Sequence, residues 1–466
     1  MSQQAGPTRT ESDSMGELQV PAGAFYGANT QRAKMNFPIS DLRFNRSFIK
    51  AMGQVKQAAS RVNRDLGTLD TALGEAIDTA AQKVIDGEYD AEFVVDIFQT
   101  GSGTSTNMNT NEVISNVAIE ALGGKLGSQN PVHPNDHVNR GQSSNDVIPT
   151  AIHLAAAGAI KERLLPAMEE LEGELRKKSE EFWPIVKTGR THLQDATPIR
   201  LGQEFSGYVG QMEYGRARAK KALGELSVLA IGGTAVGTGI GMHREFAGRM
   251  INQLNGLTGL ELSETANHFQ SQSSLDAVVE ASGSMKTIAV SLMKIANDIR
   301  WLGSGPRAGF GELEVPEVQP GSSIMPGKVN PVIAESVTMV CAQVIGNDTT
   351  IAVAGQSGNF EINVMMPVAA YNLLQSIDLL AASCTNFSRQ CISGLKATSK
   401  GPDMVEQGLA IVTALMPTEG YNATAKIAQE AAKTGETIKQ VALRMTNLSS
   451  EQLDEILDPS RMTEPS

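Results

Sequence analysis

Aromatic side chains are scarce: Phe, Tyr and Trp make up 5% of the 466 residues. A core cannot be built from so few rings, so Ala, Leu, Ile, Val and Met must fill it, and a hydrophobic share of 41% suffices for that. Cysteine is scarcer still. Cys341, Cys384 and Cys391 show no metal-ligand spacing, and an odd, low count points to free thiols in a reducing compartment. No stretch reaches the roughly 18–20 uninterrupted apolar residues of a membrane-spanning helix. The polar residues 1–16 lack the apolar core of a signal or transit peptide. Positive charge is also short. A net charge of −12 argues against nucleic acid and anionic membrane as partners, although a local cationic pocket can still take an anion. The expectation is a soluble, cytoplasmic, globular protein, long enough for more than one domain.

One stretch concentrates chemistry: Gly321-Ser322-Ser323-Ile324-Met325-Pro326-Gly327-Lys328-Val329-Asn330-Pro331. It sets two hydroxyls, a cation and an amide among prolines, which fix φ, and glycines, which let backbone approach a ligand. It is not a phosphate loop. That pattern needs four residues between the glycines and Ser or Thr after the Lys, whereas five separate Gly321 from Gly327 and Val329 follows Lys328. Asn330 before Pro331 reads as a helix N-cap with proline at the first helical position. That explanation leaves Ser322, Ser323 and Lys328 to a functional loop.

Along the chain, residues 17–47 read as extended segments and turns. Helical spacing runs over 48–66 and 72–86, the second closed by Gly87. Residues 99–109 form an uncharged loop rich in Gly, Ser, Thr and Asn ahead of a helical run, a natural place for a carboxylate. Residues 128–149 are again loop-like. His133 and His137 stand at i,i+4, but Pro131 and Pro134 oppose a regular helix and no cysteine joins them, so no metal is expected. The pattern is helical from Ile160, through Leu164, Met168, Leu171 and Leu175. It breaks over 189–198 around His192, where Thr197-Pro198 reads as a new helix start. Residues 232–241 lack the G-x-G-x-x-G register of a dinucleotide loop and read as a connection between helices. Met285, Ile288, Leu292, Ile295, Ile299 and Leu302 form a near-heptad stripe ended by Gly303, suited to helix packing between subunits. Residues 332–345 and 373–382 are helical, and Gly401-Pro402 marks a boundary. Strand signals are few and confined to the first third. The fold class is mainly α, with a mixed domain over 1–140, long helices over 141–399 and a small helical domain over 400–466.

The stretch from Gly321 to Pro331 matches the signature of the fumarase/aspartase superfamily. With Gln31-Arg32-Ala33, Asn36-Phe37-Pro38, residues 99–109 and residues 189–198, the chain resembles that superfamily over nearly its whole length. The resemblance implies three domains whose central helices form a long-helix bundle. It also implies a homotetramer with a twenty-helix core, and active sites each shared by three subunits. The expected activity is that of a lyase acting on a small dicarboxylate, with no cofactor and no metal. Ser322 matches the base that removes a proton α to a carboxylate. Lys328 and Asn330 match groups that stabilise the resulting aci-carboxylate, and His192 with Glu335 would handle the water. Ser102, Thr104, Ser143, Ser144, Asn145, Thr191 and Ser323 would fix the substrate, with Asn107 as a neighbouring polar position. His133, Asn135, Asp136 and Asn139 match a secondary anion site near the entrance. Relatives with a well-described secondary site carry Arg three residues before the His; this chain has Asn130, so strong binding there is not expected.

Within the superfamily, Gln142-Ser143-Ser144-Asn145-Asp146, Trp301-Leu302-Gly303-Ser304-Gly305-Pro306 and Gly358-Asn359-Phe360-Glu361-Ile362-Asn363 resemble the class II fumarases. Those enzymes hydrate fumarate reversibly to L-malate, a step of the tricarboxylic acid cycle. Tyr26-Gly27, Met365-Met366-Pro367 and Asn372-Leu373-Leu374-Gln375-Ser376 lean towards the aspartases, whose nucleophile is ammonia. A catalytically silent relative is a third reading; the joint presence of Ser322, Lys328, Asn330, His192 and Ser144 speaks against it.

Overall fold

The computed structural model describes residues 6–465, so the start of the stretch read as free of a signal, and Ser466, lie outside it. The chain is mainly helical, as its pattern predicts. Among the described residues two compact units emerge, one from 6–166, 217–289 and 342–381, the other from 167–216, 290–341 and 382–465. Four long helices, Leu201–Leu226, Asp276–Leu302, Val332–Gly355 and Met366–Gln390, contribute residues to both. The stripe from Met285 to Leu302 is buried, and Gly303 ends it by donating its N–H to Ile299 O.

In the first unit, helix Arg46–Asp65 packs against Thr71–Asp86, Ser144–Ala159 and Phe246–Thr258. Asn45 caps Arg46–Asp65 by accepting from Phe48 N–H, and Asp70 caps Thr71–Asp86 by accepting from Ala72 and Leu73. Gly87, at φ 89°, closes the latter in the left-handed conformation that favours glycine. Residues 17–47 depart from expectation, because Ala28–Asn36 is a helix. Its start has no local cap. The buried Glu112 carboxylate, from helix Thr104–Ala121, accepts instead from the N–H groups of Gly27, Asn29 and Thr30 and from the Thr30 hydroxyl at 2.6 Å. An acceptor more than 80 residues away leaves no local sequence signal. Glu11 adds a bond from Ala28 N–H at 3.2 Å, and burial raises its carboxyl above the usual range.

In the second unit, the expected helix start at Thr197-Pro198 is the second strand of a hairpin, Val186–Thr191 against Gln194–Arg200, and the helix begins at Leu201. Strands are therefore not confined to the first third. Distant groups impose the hairpin. Lys187, almost fully buried, lies 3.1 Å from Glu204 and 2.9 Å from Glu312. Gly189 runs so close to Thr197 O that an added Cβ would sit 2.6 Å from it. Gly401 and Pro402 fall inside the short helix Lys400–Val405 rather than in a linker. Beyond them, Ile411, Leu415, Ile427, Val441 and Leu453 share one small core.

The three cysteines are free and buried, and burial pushes each thiol up to about 12. Helix Val332–Gly355 is, by length and composition, apolar enough to cross a membrane, although Glu335, Asn347 and Asp348 interrupt its apolar run. Asp348 accepts from Ser282 Oγ at 2.8 Å and Lys286 Nζ at 2.6 Å.

Replacing Glu112 by Ala strips the acceptor from several buried donors at once. At roughly 1–3 kcal/mol for each buried group left unsatisfied, we expect Glu112→Ala to destabilise the protein by about 3 kcal/mol or more. Chemical denaturation measures this, and a loss below about 1 kcal/mol would mean that water replaces the carboxylate.

Candidate active site

The first unit gathers one set of predicted residues. Gly103, at φ 74°, precedes helix Thr104–Ala121, and Ser143 is the N-cap of helix Ser144–Ala159. The Thr104 and Ser144 hydroxyls bond at 2.6 Å, so two helix N-termini meet there, and Ser102 Oγ lies 2.9 Å from Thr104 Oγ1. Both N-termini bring partial positive charge and backbone N–H groups to the same place, which suits a carboxylate. The expected loop 99–109 is therefore half helix, and Ser105, Thr106, Asn107 and Asn109 are buried in it. Gly101 packs so tightly that a Cβ would lie 1.8 Å from Val364 O.

Asp146, fully buried, completes the capping box by accepting from Ser143 N–H, and its other oxygen accepts from Gly232 and Thr234 N–H, both at 3.0 Å. Burial raises this carboxyl above its usual range. Asn145 donates its side-chain N–H to Ala235 O at 2.7 Å, so the glycine-rich connection 232–241 is held against the same helix start.

The residues matched to a secondary anion site form one turn, Pro134–Val138, with flanking His133 and Asn139. His133 Nδ1 accepts from Asn135 and Asp136 N–H, so the neutral ring carries its proton on Nε2. His137 Nδ1 accepts from His133 N–H at 2.8 Å, and burial lowers its basicity. Asn135 and Asp136 are exposed. Asn139 turns its amide inward: Oδ1 accepts from Lys56 Nζ and Asn107 Nδ2, and Nδ2 donates to Gln142 O. Among the described residues no three His, Cys, Asp or Glu side chains cluster as metal ligands.

The second unit carries the other set. Thr191 and His192 are exposed at the hairpin tip, where His192 and Leu193 both adopt positive φ, 57° and 59°. Two consecutive left-handed residues make a tight two-residue turn, a conformation usually left to Asn or Gly. Such strain is kept where the surrounding structure enforces it, and here Arg190 is ion-paired to Glu312 at the tip's base.

The loop from Gly321 is pinched shut at its neck. Gly321 N–H donates to Lys328 O at 2.8 Å, and Asn330 Nδ2 donates to Gly321 O at 2.7 Å. Asn330 thus closes the loop instead of capping, and the helix begins one residue late, at Val332. A Cβ on Gly321 would lie 2.2 Å from Lys328 O, so only glycine fits the neck. At the head, Ser322 Oγ accepts from Ile324 N–H at 3.2 Å and Met325 N–H at 3.0 Å. Two donors aimed at one hydroxyl oxygen favour its anionic form. Ser323 and Lys328 are exposed, Glu335 is half-buried, and the Lys328 ammonium has no bonded partner among the described residues. No hydrogen bond or ion pair joins His192 to Ser322, Lys328 or Glu335.

One buried ionisable group beside this region escaped the sequence reading. Lys56 is fully buried in helix Arg46–Asp65 and donates to Asn139 Oδ1 at 2.9 Å and Gln142 Oε1 at 3.0 Å. Its only signal was a lysine between apolar and small residues on the same helical face as Met52, Ser60 and Asn63.

Sequence comparison is consistent with this arrangement. A family described as Lyase matches residues 16–346, and one described as Fumarase C C-terminus matches residues 411–464. A fumarate hydratase class II 2 from Bradyrhizobium diazoefficiens is 52% identical over 98% of this chain and 97% of its own length. A fumarate hydratase class II from Methylorubrum extorquens is 51% identical over 98% of both chains. The crystal structure of a class II fumarase from Schistosoma mansoni superimposes with a TM-score of 0.96 at 39% identity, covering 98% of this chain and all of that one. With the signature loop, the paired helix starts and the full-length match in hand, this chain belongs to the class II fumarase family of the fumarase/aspartase lyases.

Proposed function

We propose that the chain catalyses the reversible hydration of fumarate to L-malate, with Ser322 as the base. The observation that carries this reading is Ser322 Oγ, which accepts two backbone N–H bonds at the head of a closed loop. Starting from L-malate, Ser322 as alkoxide takes a proton from C3, and the freed electron pair moves into the adjacent carboxylate to give the aci-carboxylate. Lys328, Asn330 and loop N–H groups stabilise that charge, usually the largest catalytic contribution. The pair then returns to form the C2–C3 double bond as the C2–O bond breaks, and the hydroxyl leaves as water on a proton delivered by His192 with Glu335. Ser322 finally releases its proton to solvent, and His192 takes one back up from solvent. Thr104, Ser144, Ser102, Ser143, Asn145, Thr191 and Ser323 bind the two carboxylates. The relatives' names favour water over ammonia as the second substrate. Fumarate supplied with and without ammonium should give malate in both cases; aspartate as the preferred product would overturn the assignment to hydration.

Removing Ser322 tests the base. A structural serine would cost about 1 kcal/mol of stability and little rate. Loss of a general base removes ~10²–10⁴-fold. Ser322→Ala should therefore lose at least a hundredfold in kcat and lose exchange of the C3 proton with solvent, while still binding a dicarboxylate inhibitor. Retention of more than about a tenth of the turnover would move the base elsewhere, with His192 next.

We propose further that each site is completed by three copies of the chain in a homotetramer. The exposed His192 tip and the unpartnered Lys328 favour this, because such groups gain strength only when another surface excludes water. Co-refolding Ser322→Ala with His192→Asn should then restore activity above that of either variant alone. Mixed tetramers that stay as inactive as their parents would argue for sites built within one chain.

A further inference from the structure

We propose that Lys56 is a buried positioning residue of the dicarboxylate site, holding the turn that presents Ser143, Ser144 and Asn145 and placing an amine with no ion-paired carboxylate behind the two helix N-termini. The inference rests on the reading of that region as the substrate site.

Lys56 and Asn63 lie seven residues apart in helix Arg46–Asp65, two turns along one face. Both grip residues 139–142. Lys56 Nζ donates to Asn139 Oδ1 and Gln142 Oε1, and Asn63 Nδ2 donates to Arg140 O at 2.9 Å. The turn is also tied internally, with Gln142 Nε2 donating to Val138 O at 3.0 Å and Gly141 at φ 71°. The next residue is Ser143, the N-cap whose helix begins with Ser144 bonded to Thr104. From Asn139 a second branch reaches Asn107, one turn along helix Thr104–Ala121 from Thr104 itself. The Asn107 Oδ1 atom is buried without a partner. One ammonium thus links both helix starts through neutral amides.

The ammonium has no carboxylate at ion-pair distance among the described residues. Asp146 is the charged group acting on it, and the Asp146 oxygens are spent on Ser143, Gly232 and Thr234 N–H. Burial lowers Lys56 to about 7, so near neutral pH the group exchanges between amine and ammonium, and a bound anion favours the ammonium. A purely structural link between amides would not require a charge, since a neutral side chain avoids the desolvation cost of a buried ammonium. A dianion bound at the helix starts faces that charge through a water-poor interior, where attraction is weakly screened.

Lys56→Met keeps the stem and removes the ammonium. With succinate as a non-reacting dicarboxylate and fumarate as substrate, we expect the succinate Kd and the fumarate KM to rise tenfold or more. The kcat should change less than threefold, whatever the unfolding midpoint does, since Gln142 Oε1 loses its donor. Should Lys56→Met fail to fold, Gln142→Leu, which removes one acceptor, should raise both constants threefold or more. Unchanged Kd and KM with lower stability would overturn the proposal and leave a structural lysine, and so would a fall confined to kcat. Wild-type turnover of fumarate separates the two readings. If the wild type is inactive yet binds succinate in a Lys56-dependent way, hydration fails and the positioning role stands. If it is active and Lys56→Met binds equally well, the reverse holds. A wild type that neither turns over fumarate nor binds succinate overturns both.

Discussion

Backbone N–H groups at a helix start must find acceptors, and the first unit is arranged around how that demand is met. Glu112 meets it for Ala28–Asn36, across a large sequence separation. Ser143 and Asp146 meet it for Ser144–Ala159, and the second oxygen of Asp146 also anchors the glycine-rich connection at Gly232 and Thr234. Helix Thr104–Ala121 is the exception. Its N-cap Gly103 offers no side chain; Gln99 Oε1 takes the Thr106 N–H at 3.0 Å, and the N–H groups of Thr104 and Ser105 have no acceptor among the described residues. Unmet donors beside a pair of bonded hydroxyls are where an incoming carboxylate gains most. The carboxylates supplied by the protein itself stand at neighbouring helix starts, leaving this one open.

The second unit solves a different problem, which is to hold the groups proposed as catalytic near its surface in defined conformations. The hairpin is fixed at its base by Lys187, Glu204, Glu312 and Arg190, with Arg190 4.4 Å from the centre of the Phe310 ring. That rigid base can enforce two left-handed residues at the tip, so His192 is both exposed and conformationally defined. The Ser322 loop uses a neck instead of a base. Its two closing hydrogen bonds leave the head exposed, yet the head's own N–H groups prearrange the environment of Ser322 Oγ. Preorganised donors of this kind need no reorganisation when charge develops on the oxygen they face.

Much of this was legible in sequence because the signals were local. Gly87 after a helical run and the apolar spacing from Met285 to Leu302 each report their structure through neighbours, whereas the capping pair Ser143 and Asp146 lay unread in a stretch taken as loop, although a helix starts at Ser144. The Gly321–Pro331 stretch was legible through its resemblance and through its density of unusual residues. What failed to show was set by distant partners. Ala28–Asn36 depends on Glu112, and the hairpin at 186–200 depends on Glu204 and Glu312. Thr197-Pro198 is a sound helix start by local chemistry, but it lost to strand pairing with Thr188. Asn330-Pro331 likewise has the composition of a cap, but the amide was recruited to close the loop neck, a use that only the fold of the loop reveals.

Lys56 was illegible for a related reason and is also the most informative residue of the set. A lysine in an amphipathic helix is ordinarily a solvated residue, and nothing in its immediate neighbours marks this one as buried. Its position carries a cost that packing alone would select against, since Met or Leu would fill the same space without desolvating a charge. Asp146 carries the mirror cost nearby, with burial raising its carboxyl and several N–H bonds opposing that rise. Asp146 recovers its cost within the protein, through the donors it organises. Lys56 recovers less, because its two acceptors are neutral amides and Asp146 acts on it only from beyond ion-pair distance. In the proposed site, a buried amine bonded only to neutral amides behind the paired helix starts is one whose charged form an arriving dicarboxylate would favour.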